Sequence, residues 1–176
     1  MTIKFVLLIL GILLIYIFPK TPIQKSIQDE KVVVSSQETA KVLRVIDGDT
    51  IEIRLGNNLE SVRMIGIDAP ETVDPRKTIE CFGKEASRKA SVLLDGKEIT
   101  LESDPTQGNR DKYGRLLRYI FLDDLNFNKL MIREGFAHEY TYQSNPYSYQ
   151  LEFKNAEKDA RENQKGLWDK NNRCYN

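Results

Sequence analysis

From residue 40 onward, apolar and polar positions follow two periods that divide the chain into strands and helices. Residues 41–46 (K-V-L-R-V-I) open as a strand. Residues 50–55 (T-I-E-I-R-L) alternate cleanly, with Ile51, Ile53 and Leu55 on one face. Gly56-Asn57-Asn58 is a turn signal, and residues 59–67 predict a returning third strand. A helix follows, because Phe82, Ala86, Ala90, Leu93 and Leu94 recur at helical spacing before Asp95-Gly96 closes it. Residues 98–102 and 116–122 read as the fourth and fifth strands, separated by a polar stretch at 103–114. Two helices finish the domain. One covers 126–134 and stops at Gly135; the other covers 146–165, with Tyr149, Phe153, Ala156 and Ala160 on one stripe. The order β-β-β-α-β-β-α-α predicts an α+β domain with a mainly β core: a small, partly open five-stranded barrel carrying three helices.

Ahead of the domain the alternation disappears. Residues 5–18 are uncharged and almost wholly apolar, flanked by Lys4 and by Pro19-Lys20. As a helix this block spans about 21 Å, short of a hydrocarbon core of about 30 Å. It fits the apolar region of a signal peptide as well as a short, uncleaved membrane anchor. Residues 1–20 are read as one or the other, 21–39 as a linker, 40–170 as the domain and 171–176 as a tail. Both readings put the domain outside the cytoplasm, either secreted or tethered to the membrane. In that compartment Cys81 and Cys174 are a candidate disulfide, closing a loop of more than ninety residues; two unpaired thiols are the alternative.

Composition narrows the chemistry. Lysine plus arginine and aspartate plus glutamate balance at 26 each, so charge excess alone does not hold a polyanion. Residues 21–176 carry 24 bases and 26 acids, a formal charge of −2. With one histidine, His138, and two cysteines, multi-histidine centres and Cys/His zinc sites lack ligands. Carboxylates, arginines, lysines and tyrosines remain, which points to oxygen-ligated metals and anionic substrates.

Three clusters gather those residues. Asp47-Gly48-Asp49-Thr50 stands where the first strand turns into the second, and Asp49 shares the parity of Ile51 and Ile53. The bland alternative is an Asp-Gly turn chosen for its backbone. Next comes Arg63-Met64-Ile65-Gly66-Ile67-Asp68-Ala69-Pro70-Glu71-Thr72. Arg63 has the parity of Ile65 and Ile67, so a guanidinium is expected on an apolar row, where it must meet carboxylates or an anion. Asp49 and Asp68 converge if the first and third strands feed one mouth, and such a pair suits a hard cation, Ca²⁺ before Mg²⁺. Strand-end salt bridging is the alternative. The third cluster, Asn109-Arg110-Asp111-Lys112-Tyr113-Gly114-Arg115, mixes basic side chains with an aromatic, as phosphate and base binding require, or else is a solvated loop. Together the clusters supply the parts for phosphodiester hydrolysis: a metal, a base and two arginines for phosphoryl charge.

The series D-G-D-T, R-M-I-G-I-D-A-P-E-T, C-F-G-K-E-A, D-K-Y-G-R, R-E-G-F-A and G-L-W resembles the staphylococcal nuclease (thermonuclease) family from about Lys41 to Trp168. The resemblance implies an OB-fold barrel with three helices. It also implies a Ca²⁺-dependent nuclease acting on DNA and RNA, with a preference for single strands, that breaks the bond to the 5′-oxygen and leaves 3′-phosphates. Position by position it makes Asp49 and Asp68 the calcium carboxylates and the Ala69 carbonyl the backbone ligand. Many members have threonine at the position of Ala69. Glu71 becomes the general base, and Arg63 and Arg115 the grip on the scissile phosphate. Lys112, Tyr113, Tyr140 and Tyr142 match nucleotide-contacting positions. A monomer is expected, with membrane contact only through an uncleaved N-terminal segment. The main rival is a non-catalytic OB-fold module that binds nucleic acid; such modules typically lose the carboxylates and arginines present here. A calcium-dependent adhesion or scaffolding domain would not need Arg63, Glu71 and Arg115 together.

Overall fold

The computed structural model describes residues 36–72 and 80–172. The elements are β1 (Gln37–Asp47), β2 (Thr50–Leu55), β3 (Asn58–Met64), β4 (Ile67–Asp68), α1 (Gly83–Leu94), β5 (Glu98–Glu102) and β6 (Leu116–Leu122). After them come β7 (Leu125–Asn126), α2 (Phe127–Arg133), β8 (His138–Glu139) and α3 (Gln150–Glu162), with 3-10 turns at Tyr142–Ser144 and Gly166–Trp168.

The large sheet runs β3-β2-β1-β5-β6-β7, and a parallel pairing of β3 with β6 (Val62↔Leu116 to Met64↔Arg118) closes it into a five-stranded barrel. The OB-fold architecture with three helices is therefore present. Val42, Ile51, Ile53, Val62, Leu101 and Ile120 are fully buried inside, as the alternation of β2 requires. Ala86, Ala90 and Leu94 bury one stripe of α1, and Phe153, Ala156 and Ala160 one stripe of α3. Small residues dominate both stripes, so the helices sit close to what they cover.

Several boundaries differ from the sequence expectation. β1 starts at Gln37, so residues 37–39 belong to the barrel and not to the linker: they pair with Glu102, Leu101 and Thr100 of β5. Nothing in their local polarity marks a strand, because the partner lies sixty residues away. The third strand does not run through to Ile67. It ends at Met64, Gly66 turns with φ +78°, and β4 pairs instead with β8. A Cβ at Gly66 would stand 2.6 Å from the Tyr147 ring and 2.8 Å from Phe153, so glycine is required sterically as well as conformationally. The last helix begins at Gln150, not at 146, because Ser148 is held by the Asp104 carboxylate. Among the described residues no helix is long and apolar enough to cross a membrane. The N-terminal segment 1–20 and Cys174 lie outside the described residues; Cys81 is not a free thiol.

Candidate active site

The break after β3 builds the site. Arg63 was expected on the row of Ile65 and Ile67, but the chain turns at Gly66 and no such row exists. Val62 and Met64 face the core, while Arg63, its side chain 15% exposed, lies on the other face of β3. From there its guanidinium reaches across the turn. Nη1 donates to the carbonyls of Met64 and Ile67, each at 2.8 Å. Nη2 meets Asp49 Oδ2 at 3.2 Å and Asp68 Oδ1 at 3.0 Å. One nitrogen thus joins the two carboxylates.

Asp49, 7% exposed, sits in the β1–β2 turn with both oxygens engaged. Oδ1 accepts from the Thr50 hydroxyl at 2.8 Å, and Oδ2 accepts from the Ala69 amide at 2.9 Å. Ala69 is therefore at the site through its N–H, which ties the chain after β4 to the β1–β2 turn. Gly48 permits this approach, since a Cβ there would lie 2.6 Å from the Ala69 Cβ. Asp68 stands at the lip of the cleft with its side chain 56% exposed. Loss of solvent on its inner side raises its pKa; Arg63 opposes the shift and Asp49 adds to it.

An open cleft of about 680 Å³ runs from this point. Arg63 and Asp68 line it together with Lys112, Tyr113, Arg115, Tyr140 and Tyr142. Arg115 is aimed by Asp111, which accepts from its Nε at 2.7 Å and its amide at 3.0 Å. Its Nη1 points to the Thr50 hydroxyl at 3.4 Å. These donors hold the Asp111 carboxyl below its ordinary pKa although burial opposes them. Arg110 braces the same loop, with a fork on Glu60 at 2.8 and 2.9 Å and a bond to the Gly114 carbonyl at 2.7 Å. Tyr113 is 71% exposed, with Lys112 Nζ 5.0 Å and the Arg115 guanidinium 5.4 Å from its ring centre. Tyr140 and Tyr142 are 43% and 52% exposed, their rings 6.4 Å apart. Exposed tyrosines beside forked cations are what a phosphate chain with unstacked bases requires.

Glu71 does not line this cleft. Its carboxyl lies against that of Asp47, whose pKa is raised chiefly by burial and further by this neighbour. Asp47, to which the motifs assign no role, is a hub. It accepts from the Thr72 hydroxyl at 2.8 Å, the Ser87 hydroxyl at 2.9 Å and the Gly48 amide at 2.8 Å. It thereby ties Thr72 to Ser87 of α1. Adjacency to Asp49 in the D-G-D turn was the only sequence signal for it.

The donors fit calcium in kind. No group of three or more Asp, Glu, His or Cys side chains among the described residues is arranged around a metal. Two carboxylates, Asp49 and Asp68, do converge on one guanidinium nitrogen. With one guanidinium shared between two carboxylates a net negative charge is left on oxygen donors, which suits a hard cation completed by main chain and water.

Comparison with known proteins agrees with this architecture. Residues 61–170 match the family described as Staphylococcal nuclease homologue. The chain is 39% identical over 134 residues to the thermonuclease of Staphylococcus hyicus, covering 76% of this chain and 78% of that protein. It is 37% identical over 155 residues to the thermonuclease of Staphylococcus intermedius, covering 88% of each. To the SPbeta prophage-derived endonuclease YokF of Bacillus subtilis it is 36% identical over 129 residues, covering 73% of this chain and 43% of that one. A closed barrel with three helices, and a match over most of its length, make this chain a member of the staphylococcal nuclease family.

Proposed function

We propose that the protein is a Ca²⁺-dependent nuclease that hydrolyses DNA and RNA outside the cytoplasm, leaving 3′-phosphate ends. The observation that carries this reading is the convergence of Arg63 and Arg115 on a cleft that also holds Asp68 and three exposed tyrosines.

In this reading Tyr113, Tyr140 and Tyr142 receive the sugars and bases, and Lys112 neutralises a flanking phosphate. The planar forks of Arg63 and Arg115 take the non-bridging oxygens of the scissile phosphate, where charge grows as water adds to phosphorus. Arg63 leaves its carboxylate partners in part to do so. Arg115 also hydrogen-bonds the 5′-oxygen as its bond to phosphorus breaks. Glu71 takes the proton of the attacking water once its carboxyl turns from Asp47 towards the cleft. Asp49, Asp68 and the Ala69 carbonyl would hold calcium, which would supply positive charge against the phosphate. A disulfide between Cys81 and Cys174 and an N-terminal signal or anchor complete the reading as an exported enzyme. The match to thermonucleases supports the nuclease part of this reading.

The test is digestion of denatured DNA and of RNA by the purified full-length protein in millimolar calcium, repeated with a calcium chelator. Cutting that stops with the chelator is expected. Absence of cutting in calcium removes the enzyme reading and leaves a binding module.

A further inference from the structure

Asp104 follows β5, is 5% exposed, and accepts five hydrogen bonds from three parts of the chain. Oδ1 takes the Thr106 amide at 2.8 Å, the Thr106 hydroxyl at 2.7 Å and the Ser148 hydroxyl at 3.0 Å. Oδ2 takes the Ser148 amide at 2.8 Å and the hydroxyl of Tyr119 on β6. Burial by itself would raise the pKa of this carboxyl, but the donors from Ser148, Tyr119 and Thr106 outweigh it and hold it low. A charge so buried and so fully satisfied fixes geometry.

What it fixes is a part of the cleft wall. Gln107 Nε2 donates to the Pro146 carbonyl at 2.9 Å, and Thr106 Oγ1, whose one hydrogen is on Asp104, lies 3.1 Å from the same oxygen. Asn145 Nδ2 donates to the Thr106 carbonyl at 3.2 Å, while the Asn145 amide donates to the Tyr142 carbonyl at 2.9 Å. Gln107, Tyr142, Asn145 and Tyr147 all line the cleft. Asp104 itself does not line it.

We propose that Asp104 is a positioning residue for nucleic-acid binding, clamping the 104–107 loop to the 145–148 loop so that Tyr140 and Tyr142 stand at the spacing a threaded single strand needs. The role rests on the nuclease reading for its substrate. Glu102 provides a control. It is similarly buried and also grips the approach to α3, accepting from the Tyr149 hydroxyl at 3.0 Å, but it opens onto a different pocket with Gln37, Phe121 and Asp124.

The test uses full-length wild type, Asp104→Asn, Thr106→Ala and Glu102→Gln at a temperature where each is folded. Affinity for a fluorescent single-stranded DNA oligonucleotide is read in a calcium chelator, and KM and kcat in calcium. Asp104→Asn and Thr106→Ala are expected to weaken binding and raise KM by about fivefold or more, with kcat within about twofold. Glu102→Gln is expected to lower Tm and leave both unchanged. Equal loss of binding in Glu102→Gln, or unchanged binding in the two clamp variants, overturns the proposal. If Asp104→Asn does not fold, Thr106→Ala decides, since it keeps the carboxylate and its other donors. A wild type that binds with this pattern but does not cut removes the nuclease reading and leaves the clamp standing.

Discussion

Arg63 and Asp68 are joined by a 3.0 Å hydrogen bond across a broken strand, at a point where an unbroken one would have separated them along a single row. The same guanidinium caps the carbonyls on both sides of the break. Arg63 is thus both part of the turn and the cation facing the cleft.

Arg63→Lys is therefore expected to do two things at once. Losing the fork should lower kcat on denatured DNA about 10²-fold or more. Losing the carbonyl caps should cost about 1–3 kcal/mol in urea unfolding. An unchanged kcat would take Arg63 out of the transition state.

Asp68 is half open to solvent, so Asp68→Asn should leave the fold intact while weakening the cation site. Calorimetric titration is expected to show calcium affinity reduced about tenfold or more. Equal affinity in the variant would mean that calcium binds elsewhere.

Two glycine turns cross at the end of the domain. A Cβ at Gly135 would stand 2.2 Å from the Lys165 carbonyl oxygen, and one at Gly166 would stand 2.2 Å from the Gly135 carbonyl oxygen. Both have positive φ, +75° and +50°. Gly135→Ala should destabilise by about 2–4 kcal/mol, through strain and lost backbone contact. A denaturation midpoint equal to wild type would contradict the crossing.

Asp104 gives a pH signature. Its folded pKa lies below its ordinary value near 3.9. The stability it contributes is complete above the unfolded pKa and is lost as pH falls through the folded one. The gap between wild type and Asp104→Asn in urea should therefore be widest near neutral pH and shrink below about pH 3.9. A gap independent of pH would show that the carboxylate charge is not what the five donors hold.

For the cysteines, mass analysis without reductant should find no free thiol, and reduction should lower Tm. The closed loop is long enough for a contribution of about 3–5 kcal/mol. Two thiols available to alkylation would refute the pairing.

The strands, the helices and the clusters were legible because each rests on a local signal. Ile51 and Ile53 alternate, Gly135 stops a helix, and Asp49, Arg63, Asp68 and Arg115 lie in short, dense motifs. Residues 37–39 were not legible as strand, because β5 makes them one. Asp104 hid in a polar stretch, because a carboxylate that becomes a hub looks the same in sequence as a solvated one. Glu71 was placed by family resemblance, yet in the structure its carboxyl faces Asp47, a neighbour that motif spacing does not reveal.

Residue composition limited the chemistry on offer. One histidine and two cysteines left oxygen donors and forked cations, and periodicity determined which segments were strand and which helix. How those residues meet was set by the three-dimensional fold. Closure of β3 on β6, the turn at Gly66 and the clamp at Asp104 are long-range packing events. A strand that had run on to Ile67 would have left Arg63 pointing along a row; the broken one turns it onto two carboxylates at the mouth of a cleft.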